Sequence, residues 1–138
     1  MTKEPGGSVR DLAGFADYPA VRINLEPGVC RTLVRLRYGP GRRLHQKATV
    51  DEADALGVLA HESVHFTNAG GDEALAECRA VQLIRRTAEA LELSAGFGAS
   101  AAERYWAEIY PNMAANYRTA SCHDGGELDL NPASSTWP

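Results

Sequence analysis

The stretch His61-Glu62-Ser63-Val64-His65 has the residue types and spacing that point most directly to a chemistry. Residues four apart on an α-helix differ by about 40° around its axis, so His61 and His65 lie on one face if this stretch is helical. Two imidazoles in that arrangement can ligate zinc, and a carboxylate beside the first can activate the water that the ion holds. The pattern predicts a metal site on one helix, with His61 and His65 as ligands and Glu62 as the catalytic base.

The residues around this motif are typical of a buried helix. Thr49 and Glu52 form a capping box, so the helix is expected to begin near Val50. Apolar residues continue to about Thr67, where Asn68-Ala69-Gly70-Gly71 is expected to end it. The motif therefore occupies the last turns of this helix.

A third metal ligand is expected from a second helix, over residues 73–93, which follows at once. Only seven residues separate His65 from Glu73, so the two helices must form a tight antiparallel hairpin. With a rise of about 1.5 Å per residue, Glu73 is then level with His65, and Glu77 is level with His61. The simplest assignment makes Glu73 the third ligand and Glu77 the acceptor that orients His61 through its other ring nitrogen.

The two segments together resemble the gluzincin branch of the zinc metallopeptidases, the group of thermolysin. The resemblance is carried by H-E-S-V-H and by Asp72-Glu73-Ala74-Leu75-Ala76-Glu77, which is similar to the N-E-A-x-x-D type of segment on a later helix. It implies that Glu73 is a ligand and that Glu77 is the partner of His61. The hairpin is also similar to that of small bacterial peptidases that cleave repressors, and to short bacterial proteins built around one such hairpin. The resemblance covers roughly residues 49–86, and the spacing between motif and third ligand is shorter than in thermolysin.

The rest of the sequence predicts fewer elements. Apolar and polar residues alternate over residues 20–25, which is typical of a half-buried strand. Over residues 27–37, apolar residues recur at helical spacing. A capping box from Ser100 to Glu103 is expected to open a further helix, which Pro111 kinks or restarts. We therefore expect an α+β, mostly α fold: a zincin-like helical hairpin that carries the metal, a small strand region near the amino terminus and a C-terminal helix.

Composition indicates one ordinary domain over residues 1–138, with residues 1–8 and 123–138 as loose or surface-draped ends. A net charge of −4 gives no reason to expect nucleic-acid binding, and no apolar run approaches the roughly 18 residues of a membrane span. The amino terminus does not resemble a signal peptide, so a cytoplasmic location is the default.

Three cysteines, Cys30, Cys78 and Cys122, cannot all pair within the chain. We expect them to be reduced, with a Cys78–Cys122 bridge as the alternative if the protein is exported.

The function that these features predict is that of a zinc-dependent metallopeptidase with one ion, acting on a peptide or protein. The oxyanion needs a donor from outside the motif, and we expect His123 before Tyr110, Tyr117 or Arg118. The main alternative is a non-catalytic interaction domain with a structural zinc, and a further one is a helical binding protein without metal. In that last case the histidines are only helix-end residues favoured by the helix dipole, and Glu73 and Glu77 form a solvated face.

Overall fold

The computed structural model describes residues 14–17, 20–39, 47–67, 69 and 71–138. Its regular elements are β1 (Gly14–Asp17), β2 (Arg22–Leu25), α1 (Pro27–Tyr38), α2 (Val50–Val64), α3 (Glu73–Ala90) and α4 (Ala95–Arg104). After α4 follow a π-helical turn and two short 3-10 turns, over Tyr105–Ile109, Tyr110–Asn112 and Ala115–Tyr117. These elements confirm a mostly helical α+β fold with a small sheet near the amino terminus. Residues 1–8, expected to be loose, lie outside the described part.

The capping box predicted at the start of α2 is confirmed. The Thr49 hydroxyl accepts from the Glu52 backbone N–H at 3.2 Å, and the Glu52 carboxylate accepts from the Thr49 N–H at 2.9 Å. The helix ends at Val64 rather than near Thr67. The backbone N–H and hydroxyl of Thr67 both donate to the Val64 carbonyl, at 2.9 and 2.6 Å, which closes a tighter turn than an α-helix allows.

α3 follows with Asp72 as its N-cap, whose carboxylate accepts from the Leu75 N–H at 3.0 Å. It ends at Ala90, three residues before the predicted boundary. The Leu93 N–H donates to the Ala88 carbonyl at 3.0 Å, and Glu92 has a φ of 60°, as in a Schellman motif. Glycine usually occupies that left-handed position, and its absence explains why the sequence pattern gave no stop signal.

The sheet is a two-stranded antiparallel hairpin in which Gly14 faces Leu25 and Asp17 faces Arg22. β2 lies within the predicted strand, whereas β1 was not predicted because its sequence, Gly-Phe-Ala-Asp, has no β-branched residue and no clear alternation of apolar and polar residues. The predicted helix α1 is confirmed. The Glu26 side chain caps it by accepting hydrogen bonds from the backbone N–H groups of Gly28 and Val29. β1 packs against α2, which brings the hairpin to the helix that carries the histidines.

The helix predicted to begin at Ser100 begins earlier, so the prediction that Ser100 and Glu103 form a capping box is wrong. α4 is capped by Ser94, whose hydroxyl accepts from the Phe97 N–H at 3.1 Å. The Ser100 hydroxyl instead donates to the Phe97 carbonyl and accepts from the Ala48 N–H, 2.8 Å in each case. α4 passes close to α3 at Gly98, where a Cβ would make a tight contact of 3.2 Å with the Ala88 Cβ.

The main core lies between α1, α2, α3 and α4. Its fully buried large side chains include Leu36, Leu56, Val81 and Ile84, with Phe97 from α4. Among the described helices, none combines the length and the apolar character that crossing a bilayer needs.

The chain after the 3-10 turns lies along α3. Gln82 donates to the Leu128 carbonyl at 3.0 Å and accepts from the Leu130 N–H at 2.7 Å, and Arg85 donates to the Pro138 carbonyl at 3.0 Å. These hydrogen bonds hold residues 123–138 draped over the surface of α3.

Cys78 and Cys122 form a disulfide, so the expectation that all cysteines are reduced is wrong for these two. Cys78 is fully buried on α3, and the chain that lies along this helix brings the two Cα atoms to 5.6 Å, a distance suited to a bridge. Cys30 is free and exposed. The sequence could not settle the pairing because the two cysteines are 44 positions apart.

Candidate metal centre

His61, His65 and Glu73 meet next to the turn that joins α2 to α3. The Nε2 atoms of the two imidazoles are 3.0 Å apart. The Glu73 carboxylate lies 2.9 Å from Nε2 of His61 and 3.3 Å from Nε2 of His65. The two histidines are each about 6% exposed, so the group is shielded from water on the helix side. These three residues form a group that could hold a metal ion.

The spacing of the three residues fits a tetrahedral ion. With bonds of about 2.0–2.1 Å to nitrogen and oxygen, the ligand atoms of a tetrahedral zinc are about 3.3 Å apart. The separations of 2.9 and 3.3 Å involve different oxygens of Glu73, and together with the Nε2–Nε2 separation of 3.0 Å they are close to that value. Two imidazoles and one carboxylate are also a donor set that zinc accepts while keeping a fourth position open.

Glu77 lies on α3 one helical turn after Glu73, on the other side of the His61 ring. Its carboxylate lies 2.6 Å from Nδ1 of His61, and its second oxygen accepts a hydrogen bond from the Tyr105 hydroxyl. Glu77 is 1% exposed, so this carboxylate has both oxygens occupied in a dry environment. Burial raises the pKa of Tyr105 well above its usual value, and the charge of Glu77 adds to the shift, so the phenol remains a donor. The contact orients the His61 ring and directs Nε2 toward Glu73 and His65.

Gly57 makes room for this network. A Cβ at this position would overlap the ring of Tyr105. Tyr105 thus reaches Glu77 only because α2 has no side chain at the point where the ring crosses it.

The charges of the site favour a proton on His61 when no metal is bound. Burial alone lowers its pKa, but hydrogen bonds to Glu73 and Glu77 and the charges of Glu77 and Glu62 outweigh burial and raise the pKa to about 10. Both ring nitrogens then donate to carboxylates. The proton on Nε2 stands where a metal would bind, so metal and proton compete for this atom.

Glu62 lies on α2 beside the metal centre, and its side chain is close to β1. It is 7% exposed, and burial raises its pKa, while the positive charges of His61 and His65 act in the opposite direction. The backbone N–H of Ala16 in β1 lies close enough to lower that pKa in part. A buried carboxylate with a raised pKa has the basicity that a general base near neutral pH needs.

A pocket of about 270 Å³ opens beside the centre. Its polar lining comprises Asp54, His61, Glu62, Glu77, Tyr105 and Tyr117. Sequence reasoning missed Asp54, although its position seven residues before His61 places it on the same face of α2. It also missed Tyr105, which lies 28 residues after Glu77 in the sequence.

The candidate oxyanion donors are separated by the fold. Tyr117 lines the pocket, with its ring centroid 5.7 Å from that of His61. The Tyr110 hydroxyl accepts from the Thr119 N–H at 3.2 Å and is not part of the pocket lining. His123 is exposed, and its Nδ1 lies 2.9 Å from the Asp124 carbonyl oxygen. Neither His123 nor Arg118 contributes to the pocket.

Comparisons of the chain with protein families, with curated proteins and with solved structures found no match. The assignment of this site therefore depends on its own geometry.

Proposed function

We propose that this protein is a zinc-dependent metallopeptidase, with His61, His65 and Glu73 as the ligands of one zinc ion. The observation that carries the proposal is the convergence of these three residues within 4.8 Å of one another, with Glu62 on the wall of the adjoining pocket. A structural zinc site is closed by four protein ligands, whereas three ligands leave a position for water. Among the described residues, the group has three members, which favours a catalytic site.

The proposed mechanism assigns one task to each residue. A zinc ion in this site would lower the pKa of water toward about 7 and polarise the carbonyl group of the substrate. Glu62 takes the proton of the attacking water and then passes it to the leaving amine. Tyr117 replaces His123 as our choice of oxyanion donor, because its side chain lies on the pocket and that of His123 does not. Glu77 holds His61 in orientation and does not touch the substrate.

The position of β1 supports a peptide as the substrate. Gly14 lines the pocket, and the Ala16 N–H is directed at Glu62, so this strand runs beside the proposed base. An extended peptide that pairs with a strand at this place would carry its backbone past the metal centre.

The experiment is a comparison of Glu62→Gln with the parent protein, both prepared without a histidine tag. We expect Glu62→Gln to retain one equivalent of zinc and to lose about 10²- to 10⁴-fold in the rate of peptide cleavage. Ser63→Ala is the matched control, because Ser63 is the exposed neighbour of Glu62 on the same helix, and it should retain activity. Zinc binding without cleavage of any member of a peptide library would contradict the peptidase and leave the non-catalytic zinc domain.

The Cys78–Cys122 disulfide bears on where the proposed enzyme acts. Disulfides persist in oxidising compartments and are rare in the cytosol. We therefore propose an exported or extracytoplasmic location in place of the cytoplasmic default.

A further inference from the structure

Asp54 is a carboxylate of the pocket that the proposed mechanism does not use. It lies on α2 with Val58 and His61, at positions that share one face of the helix, and it is half-buried in the pocket wall. Among the described residues, none donates a hydrogen bond to Asp54 or forms an ion pair with it. Its oxygens are not sealed in the core, so a group that enters the pocket can reach them.

The charges around Asp54 make a cation its natural partner. Burial raises its pKa, and the negative charges of Glu77 and Asp51 raise it further. The described lining of the pocket includes the carboxylates Asp54, Glu62 and Glu77 and no lysine or arginine. A cationic group that enters the pocket would relieve this repulsion, and an anionic group would increase it.

Apolar side chains line the space between Asp54 and the metal centre. Val58 stands one turn from Asp54 on the same helix, and Met113 and Ala114 also line the pocket. Lysine and arginine bury their aliphatic stems along apolar surface and place the charge at the end. The pocket has the matching order of surfaces: the metal centre, then an apolar stretch, then a carboxylate.

The distance between Asp54 and His61 along α2 agrees with such a side chain. The two residues are seven positions apart, which corresponds to about 10 Å along the helix axis. The six bonds from a carbonyl carbon to the Nζ of the same lysine span roughly 7 Å, and a charge-assisted hydrogen bond adds about 2.8 Å. A substrate α-amino group lies only two bonds from its carbonyl carbon and cannot reach Asp54.

We propose that Asp54 is a specificity residue that binds the charged end of a lysine or arginine side chain next to the scissile bond. This inference rests on the proposed function, because it places a substrate in the pocket beside the metal centre. It predicts a peptidase that selects basic residues.

The first test uses zinc-loaded protein and quenched fluorescent peptides with lysine, norleucine or glutamate on either side of the scissile bond. We expect kcat/KM for the best lysine peptide to exceed that for its norleucine counterpart by about tenfold or more. Asp54→Asn should reduce that ratio to near one, and Asp54→Glu, which keeps the charge, should restore part of it. Glu89→Gln is the control, because Glu89 is an exposed carboxylate on α3 that is not part of the pocket lining, and it should leave the ratio unchanged.

The second test does not depend on hydrolysis. Binding of n-pentylammonium and of n-pentanol to the metal-free protein is followed by the NMR signals of the Val58 and Met113 methyl groups. We expect the cation to bind at least about tenfold more tightly than the alcohol, and Asp54→Asn to remove the difference. Thermal melting of each variant shows that it is folded.

The two tests separate the inference from the proposed function. Cationic preference in the binding test without cleavage of any peptide would overturn the peptidase and keep Asp54 as a cation site. Cleavage of peptides with equal rates for lysine and norleucine, or equal binding of the cation and the alcohol, would overturn the role of Asp54.

Discussion

The α2–α3 hairpin and the chain that follows it are stabilised in different ways. In the hairpin, the start of each helix is set by a cap within four residues, at Thr49 and at Asp72. After α3, the chain is positioned by contacts with residues far away in sequence, such as Tyr105 with Glu77 and Cys122 with Cys78. The hairpin supplies the proposed ligands, and the later chain supplies the network behind Glu77 and part of the pocket wall. Metal affinity should therefore depend mainly on the α2–α3 hairpin, and stability and pocket shape should depend on the chain after α3.

The largest expected effect is the loss of zinc affinity on substitution of Glu73. Glu73→Ala removes a proposed ligand, whereas Glu77→Ala removes only the group that orients His61 and should cost about 10- to 100-fold in affinity. We expect Glu73→Ala to cost more than that, measured by competition with a chelator. The opposite ranking would mean that the two carboxylates exchange roles when the metal binds.

Removal of the disulfide is the next largest effect and acts on the other region. For a loop of 44 residues, loop-closure entropy gives a stabilisation of about 4 kcal/mol, so Cys78→Ala combined with Cys122→Ala should lower the free energy of unfolding by a similar amount. Urea unfolding measures the change. The double variant should still bind one equivalent of zinc at a temperature where it is folded. Loss of zinc binding under those conditions would show that the two regions are not separable in this way.

Gly57→Ala tests the point where the two regions meet. An added methyl group would force the Tyr105 ring away from α2, so we expect a loss of about 1–3 kcal/mol in stability. Gly96→Ala is the matched control, since nothing lies within 4 Å of a Cβ at that helical position, and it should be neutral or stabilising. Equal effects of the two substitutions on thermal unfolding would contradict the close packing.

The competition between proton and metal at His61 gives a smaller, graded effect. Since the pKa of His61 in the metal-free protein is raised to about 10, zinc binding at pH 7–9 should release the His61 proton, and affinity should rise by up to about tenfold per pH unit. The stability of the metal-free protein should change in the opposite sense. The raised pKa contributes stability that is fully present below the unfolded value near 6.5 and is lost as the pH rises through 10. Zinc affinity that is constant over pH 7–9 would contradict the paired imidazolium.

How much could be predicted from the sequence follows the same division. The caps of α2 and α3 and the face shared by His61 and His65 depend on residues within one or two turns, so local rules were sufficient. The end of α3 was missed because Glu92 takes a left-handed position where glycine is usual, and its side chain pairs with Arg37 at 2.7 Å. The start of α4 was missed because Ser94 and Ser100 both have the chemistry of a cap, and the sequence does not show that the Ser100 hydroxyl accepts a hydrogen bond from the distant Ala48 N–H.

The same limit applies to the site. The approach of Glu73 and Glu77 to the histidines follows from the length of one short turn and the rise of a helix. Tyr105 and Tyr117 reach the site from chain that is 28 or more residues away from Glu77, and no local pattern contains that information. Asp54 is different. Its spacing of seven residues from His61 is visible in the sequence, but only the structure shows that both residues line one pocket.

The central claim is that a zinc ion is held between α2 and α3. Anomalous diffraction at the zinc edge from crystals of the zinc-loaded protein tests it most directly. We expect one peak at about 2.0–2.2 Å from Nε2 of His61, Nε2 of His65 and a carboxylate oxygen of Glu73. The absence of a peak at this position, in protein that is otherwise folded as described, would contradict the account.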